Sequence, residues 1–162
     1  AVRIGQLPEG SLSALKVGEI RPVVCAAPAF LERHGRPQHP NDLLDAPVVM
    51  AATSVLLTDW QFTTADGPLT LRPPSRFVVS SNNAAIHAAR LGGGFTRVLS
   101  YQAAEAVARG ELEIVLEEFS TAPLPIHLLY QDGARLPAKV RSFVEHCAER
   151  LRADPALQAA KP

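Results

Sequence analysis

From residue 23 to residue 152, short apolar runs alternate with helix-patterned segments, and this alternation restricts the chain to a small set of architectures. Val23-Val24-Cys25 leads to a helix with Pro28 at a first helical position, Phe30 and Leu31 on its apolar side and Gly35 as its stop. A second short helix follows on Pro40-Asn41-Asp42-Leu43-Leu44, capped by His39 or Asn41, with Asp42 suited to its positive end. Val48 to Ala51 reads as a strand. Trp60 and Phe62 alternate around Gln61, and Asp66-Gly67 is a hairpin signal leading into Leu69 and Leu71. Phe77-Val78-Val79 runs into four cap-type residues, Ser80-Ser81-Asn82-Asn83, and then a small-residue helix from Ala84 to Leu91 ended by Gly92-Gly93-Gly94. Phe95 to Leu99 is the next strand, and Ser100 caps a helix through Arg109. Strands around Leu112–Leu116 and Ile126–Tyr130 precede a final helix opened by Pro137. There Val140, Phe143, Val144, Cys147 and Leu151 share one face, and residues after Asp154 read as a frayed tail.

Strand–helix alternation with one inserted hairpin predicts an α/β architecture with a largely parallel sheet. Two extended stretches stand before it. Ala1 to Gly5 alternates like a half-buried strand, and Leu12 to Ala26 is interrupted by Gly18 and Pro22, which predicts a crossing segment bent near Gly18-Glu19. There is no internal repeat and no low-complexity linker.

Composition narrows the function classes. The 162 residues are 47% hydrophobic and 20% charged, enough to bury a core. Lys+Arg and Asp+Glu number 16 each, and a neutral chain lacks the basic surplus that phosphate backbones require. Cys25 and Cys147 are too few for a disulfide framework and lack metal-ligand spacing. No apolar run approaches membrane-spanning length, and no signal peptide opens the chain, so a cytoplasmic location without membrane contact is expected.

Among the local patterns, Ser80-Ser81-Asn82-Asn83 is the most informative. A strand running into free helix N–H groups and hydroxyls can hold an anion, although a plain N-cap needs only one of these four residues. Gly92-Gly93-Gly94 follows a helix instead of opening one and lacks the Gly-Lys-Ser/Thr of a phosphate loop. Ser54 and Ser100 have no local triad partner, and no Gly-x-Ser-x-Gly elbow occurs. His34, His39, His87, His127 and His146 do not form a metal-binding spacing. Glu117-Glu118 are adjacent, so in a strand they face opposite sides. The residues assign no catalytic role, no metal and no cofactor, and the chain reads as a non-enzyme.

Several stretches taken in order resemble the C-terminal half of a LysR-type transcriptional regulator. They are Ala1-Val2-Arg3-Ile4-Gly5, then Val23 to Leu31 with Gly35-Arg36-Pro37 and Pro40-Asn41-Asp42-Leu43, then Trp60-Gln61-Phe62. They continue with Gly92 to Phe95 leading to Leu99-Ser100-Tyr101, Leu124-Pro125-Ile126-His127, and Leu136 to Phe143. Order and spacing hold from residue 1 to about 152.

The resemblance implies a type 2 periplasmic-binding-protein-like fold, in which two α/β subdomains joined by crossing strands bind a small effector in the cleft between them. Residues 21–121 would form subdomain II. Residues 1–20 and 122–162 would be the remnant of an incomplete subdomain I, the sequence starting inside the regulatory domain. Family members carry an N-terminal DNA-binding module and form homo-oligomers, so DNA would be contacted only through a module absent from this sequence. Carried over by position, Ser80, Ser81, Asn82, Phe95 and Thr96 would face the effector, with Arg3 and Gln6 as further candidates. A cleft of Ser, Asn and Thr with one nearby Arg suits a small carboxylate or aromatic acid. Relatives often have Gly-Leu-Gly-Ile where this chain has Gly92-Gly93-Gly94-Phe95, which puts a larger ring beside the cleft. The same fold admits an alternative, a periplasmic solute-binding protein. Self-association through helix 84–91 or exposed strand edges is also expected.

Overall fold

The computed structural model describes residues 1–7, 12–52, 59–131 and 137–158; Ser54 and Leu136, named above, lie outside them. The chain divides into two compact units, one of Ala1–Arg21 with Ala122–Pro162, the other of Pro22–Thr121.

The first unit is built on three antiparallel strands in the order β1-β10-β2, formed by Val2–Ile4, Leu124–Gln131 and Leu12–Ile20. Every second residue of β10 turns inward. Ile126 and Leu128 are buried with Val17 and Ile20 of β2, and α4 (Ala138–Arg152) packs against β2 and β10 through Ala148. The α4 face is rotated from the one the sequence pattern predicts. At 100° per residue, Phe143 lies about 140° from Ala148 around the helix, and its ring is 67% exposed. Val140, Val144, Cys147 and Leu151, which lie between those directions, are partly buried.

Near Gly18-Glu19, where a bend is expected, β2 carries a bulge without breaking. Strand β2 continues through both residues to Ile20, and β3 starts at Pro22 in a separate sheet. The irregularity lies one residue earlier, where Ile126 pairs with Gly18 and His127 with Lys16, leaving Val17 as the bulged residue. Gly18 is needed for a close approach instead. A Cβ there would collide with the backbone carbonyl oxygen of Leu157 and lie 3.3 Å from Gln158 Nε2.

The expected frayed tail is in fact docked, as far as Gln158. Asp154 caps a 3-10 turn over Pro155–Leu157, and Gln158 Nε2 donates to the carbonyls of Val17 and Leu151, each at 3.3 Å. We predict that Gly18→Ala lifts this turn at a cost of about 1 kcal/mol, the worth of its hydrogen bonds. Limited proteolysis would then cut within 154–158, while the main urea transition moves little. An undiminished resistance to cleavage would show that the turn does not depend on the missing Cβ.

The second unit joins two layers of helix to a mixed sheet. Strands β4 (Val48–Ala51) and β7 (Ser75–Val79) are parallel. Strand β3 (Pro22–Ala26) lies between β8 (Thr96–Leu99) and β9 (Glu113–Val115), antiparallel to both. A parallel bridge between Val48 and Phe95 ties the two groups, giving the order β7-β4-β8-β3-β9. Strands β7, β4, β8 and β9 thus run the same way, as the expectation of a largely parallel sheet has it, and in this order β3 opposes them. A helical crossover does make β8 and β9 run the same way, as alternation implies. It does not make them neighbours, and β3 enters between them from the opposite direction.

Helix α1 (Pro28–His34) buries Phe30 and Leu31 on one face of this sheet, together with Trp60 and Phe62 from the β5–β6 hairpin (Trp60–Thr64 and Gly67–Leu71). Helices α2 (Asn82–Arg90) and α3 (Ser100–Ala108) pack on the other face through Ile86, Ala89, Ala103 and Ala106, against Val23, Cys25 and Val98. Ala85 and Ala89 are fully buried, which lets α2 lie close to the strands. Ser100 is the first residue of α3, and Leu99 occupies the cap position expected for it.

Candidate functional site

Strand direction decides which of the predicted site residues share an end of the second unit. In the β4–β7 pair Val48 stands opposite Ser75 and Ala51 opposite Val79. The carboxyl ends of both strands thus coincide, and Ser80, Ser81 and Asn82 follow at that end. Phe95 is bridged to Val48, the first residue of β4, so Phe95 and Thr96 start β8 at the opposite end. Four residues of strand, about 13 Å at 3.3 Å per residue, separate the two levels. Strand β8 then runs toward the Ser80 end and delivers Leu99, Ser100 and the start of α3 there. The expected set therefore divides. Ser80, Ser81 and Asn82 remain together, and their companions are Ser100 and Gln102.

Within that edge the contacts are specific. Ser81 has extended backbone and accepts from Ala84 N–H through Oγ at 3.2 Å, so one of the four cap-type residues performs the capping. Ser81→Ala is predicted to cost about 1 kcal/mol, read as faster amide exchange at Ala84 and Ala85; unchanged exchange there would remove Ser81 from the cap. Ser80 and Ser81 are exposed, and Asn82 is half-buried. Asn82 Nδ2 donates to Gln102 Oε1 at 3.1 Å, which ties the first turn of α2 to that of α3. The same oxygen accepts from Leu99 N–H at 3.0 Å. Both helices open at this edge, so their partial positive charges collect where the hydroxyls are. Gln102 went unnoticed in the sequence because its role is a contact made twenty residues away; a helix whose third residue is Gln was the available signal.

Phe95 and Thr96 have other work. The Phe95 ring is 2% exposed and meets Phe30 edge to face, with centroids 5.1 Å apart. It is a core residue of the hairpin side, so the larger ring fills the interior instead of projecting beside a cleft. Thr96 is fully buried, and its Oγ1 has no hydrogen-bond partner among the described residues. It pairs across β3 with Cys25, on the α2–α3 side. Arg3 is exposed on β1 opposite His127, in the other unit. Gln6 belongs to that unit as well and is exposed.

Cys25, Arg97, His39 and Asp42 are held in structural settings. Burial pushes the Cys25 thiol up to about 12, which keeps it protonated and a poor nucleophile at neutral pH. Burial also pulls Arg97 down to about 10, still a cation, and its guanidinium donates to the Gln61 carbonyl at 3.2 Å, 6.0 Å from the Phe62 ring centroid. His39 caps its 3-10 turn by accepting from Asn41 N–H, while Asp42 accepts from Gln38 and His39 N–H groups, which hold its carboxyl below the usual range. Among the described residues no three His, Cys, Asp or Glu side chains are grouped to hold a metal ion, and no helix is long and apolar enough to cross a membrane.

Comparison with known proteins agrees with this architecture. A family model described as LysR substrate binding domain matches residues 1–152. The HTH-type transcriptional activator AaeR of Escherichia coli K12 is 30% identical over 144 residues, covering 88% of this chain and 46% of that protein. The full-length Vibrio cholerae virulence activator AphB, described as a member of the LTTR family, superposes with a TM-score of 0.80 at 29% identity, covering 92% of this chain and 50% of that one. The regulatory domain of AphB from Vibrio vulnificus gives 0.79 at 29% identity, covering 90% of this chain and 72% of that one. The chain thus spans about half the length of the curated relatives it matches. All of these are transcription regulators or parts of one, and they lend no support to the solute-binding alternative.

Proposed function

Because the chain belongs to the LysR substrate-binding-domain family, whose role is effector binding in transcription regulators, we propose that it senses a small acid through the edge carrying Ser80, Ser81, Asn82, Ser100 and Gln102. The observation that carries this reading is the convergence of two helix N-termini and five hydroxyl or amide side chains at one end of one sheet, joined by the Asn82–Gln102 bond. Such an edge neutralises a carboxylate without a formal charge of its own, through N–H groups and hydroxyls. No bond-making step belongs to it.

In this reading effector binding favours one conformation of the regulator over another. The differential affinity for the two conformations is the whole of the signal. A DNA-binding module elsewhere in the regulator converts it into transcription, in the cytoplasm and within a homo-oligomer. The β7 edge, with Phe77 54% and Val78 55% exposed, offers a surface for that assembly. Thr96 and Phe95 contribute through packing.

The test is thermal and calorimetric titration of the chain with benzoate and acetate as probes. Saturating probe, at about a hundredfold over Kd, should stabilise the fold by about 2.7 kcal/mol. Asn82→Ala is expected to weaken binding about tenfold, the worth of one partly buried hydrogen bond. Equal affinities for wild type and Asn82→Ala would place the acid elsewhere.

A further inference from the structure

The Asn82–Gln102 bond fixes more than the approach of α2 to α3. A side-chain amide can be turned end for end without changing shape, so its neighbours decide its polarity. For Gln102 the backbone decides. The Leu99 N–H donates to Oε1 at 3.0 Å, and an N–H tolerates only an acceptor, so the oxygen end faces the turn that opens α3. That same oxygen receives Asn82 Nδ2 at 3.1 Å, which occupies both of its lone pairs. Asn82 must therefore give its nitrogen to Gln102, and its acceptor Oδ1 becomes the end left for other partners. One backbone N–H, acting through two amides, sets the polarity of a site residue.

We propose that Gln102 is a positioning residue that selects for effectors carrying a hydrogen-bond donor: it holds Asn82 with Oδ1 outward, so the edge prefers a small acid bearing a hydroxyl or amide N–H. The proposal rests on the effector reading of the Ser80–Asn82 edge. An asparagine free to turn would accept or donate as the ligand required and discriminate little. A fixed one discriminates, because a ligand without a donor strips water from Oδ1 and gives nothing back. Asn82 and Gln102 are both half-buried, which shields the bond from competing water and preserves its direction.

Two measurements on the 162-residue chain test this separately. The first needs no ligand and no variant. A scalar coupling across the hydrogen bond, between the Asn82 side-chain nitrogen and the Gln102 side-chain carbonyl carbon, should be detectable by NMR. Its absence, with the Asn82 amide protons exchanging as in a free peptide, would overturn the positioning role. The second uses paired probes, acetate against glycolate and benzoate against 3-hydroxybenzoate. The hydroxylated member should bind about tenfold more tightly, the ratio one neutral hydrogen bond supplies. Gln102→Ala should reduce the ratio to near one, and Gln102→Glu, whose carboxylate accepts from both donors, should restore it. Binding of both members with equal affinity in the wild type would overturn the selectivity. Failure of all four probes to bind, with the coupling present, would count against the acid-binding reading and leave the amide polarity standing.

Discussion

Gly94→Ala is expected to lower the stability of the chain by about 3 kcal/mol or more, the largest loss foreseen for any glycine. Two costs coincide there. Its φ of +144° is a backbone conformation that L side chains rarely adopt. A Cβ would also run into the Pro47 carbonyl oxygen, 2.8 Å from its carbon and 3.2 Å from Val48 N. These backbone atoms cannot yield, because they make the junction between β4 and β8. Phe95 N–H donates to Pro47 O at 2.9 Å, and Val49 N–H donates to Phe95 O at 2.8 Å. Making room would stretch the bonds that unite the two halves of the sheet. Gly110 is the control, since its φ of +68° is left-handed but nothing lies within 4 Å of a Cβ there. Gly110→Ala should cost about 1 kcal/mol, the conformational penalty alone. Urea unfolding of both variants, with unchanged m-values, measures the difference. Equal midpoints would mean that the close approach is not what requires glycine at 94.

The contrast between those two glycines marks what can be read from the sequence. A run of three glycines after a helix announces a stop, but not which one touches another strand. Local rules worked where the partner is local. The hairpin signalled by Asp66-Gly67 is present, closed by Ala65-Asp66, with Gly67 at φ +116° paired opposite Thr64. Pro28, His39 and Ser81 start their helices as capping chemistry demands. The order of elements along the chain was legible for the same reason. Sheet order was not, because a strand's neighbours are chosen by the whole layer, and β3 inserts where alternation alone would pair β8 with β9.

The site divides along the same line. Ser80 to Asn82 stands out in the sequence because strand, cap residues and helix are contiguous there. Gln102 does not, since its meaning comes from Asn82 and from a strand direction fixed by the bridge between Val48 and Phe95. The docked tail belongs to this class as well. Nothing in Asp154-Pro155-Ala156-Leu157-Gln158 signals a seat against Gly18, more than a hundred residues earlier.

Phe95→Ala is expected to remove about 3–5 kcal/mol of stability, the range for deleting a fully buried aromatic ring. The ring is 2% exposed, beside Leu43, Val48 and Trp60 in the same cluster. Its edge-to-face contact with Phe30 adds a term of about 0.5–1.5 kcal/mol beyond buried area. Phe30 is in turn stacked on His34, with centroids 4.3 Å apart, so it cannot easily collapse into the vacated space. A double-mutant cycle with Phe30→Leu and Phe95→Leu isolates the pair energy, because leucine keeps the site apolar and most of its volume. The cycle also decides what the residue is for. A ring that touched effector would change affinity for benzoate in Phe95→Leu while costing little stability. A ring that fills the core does the reverse, and the end of β4 at which it sits, opposite to Ser80, requires the second outcome.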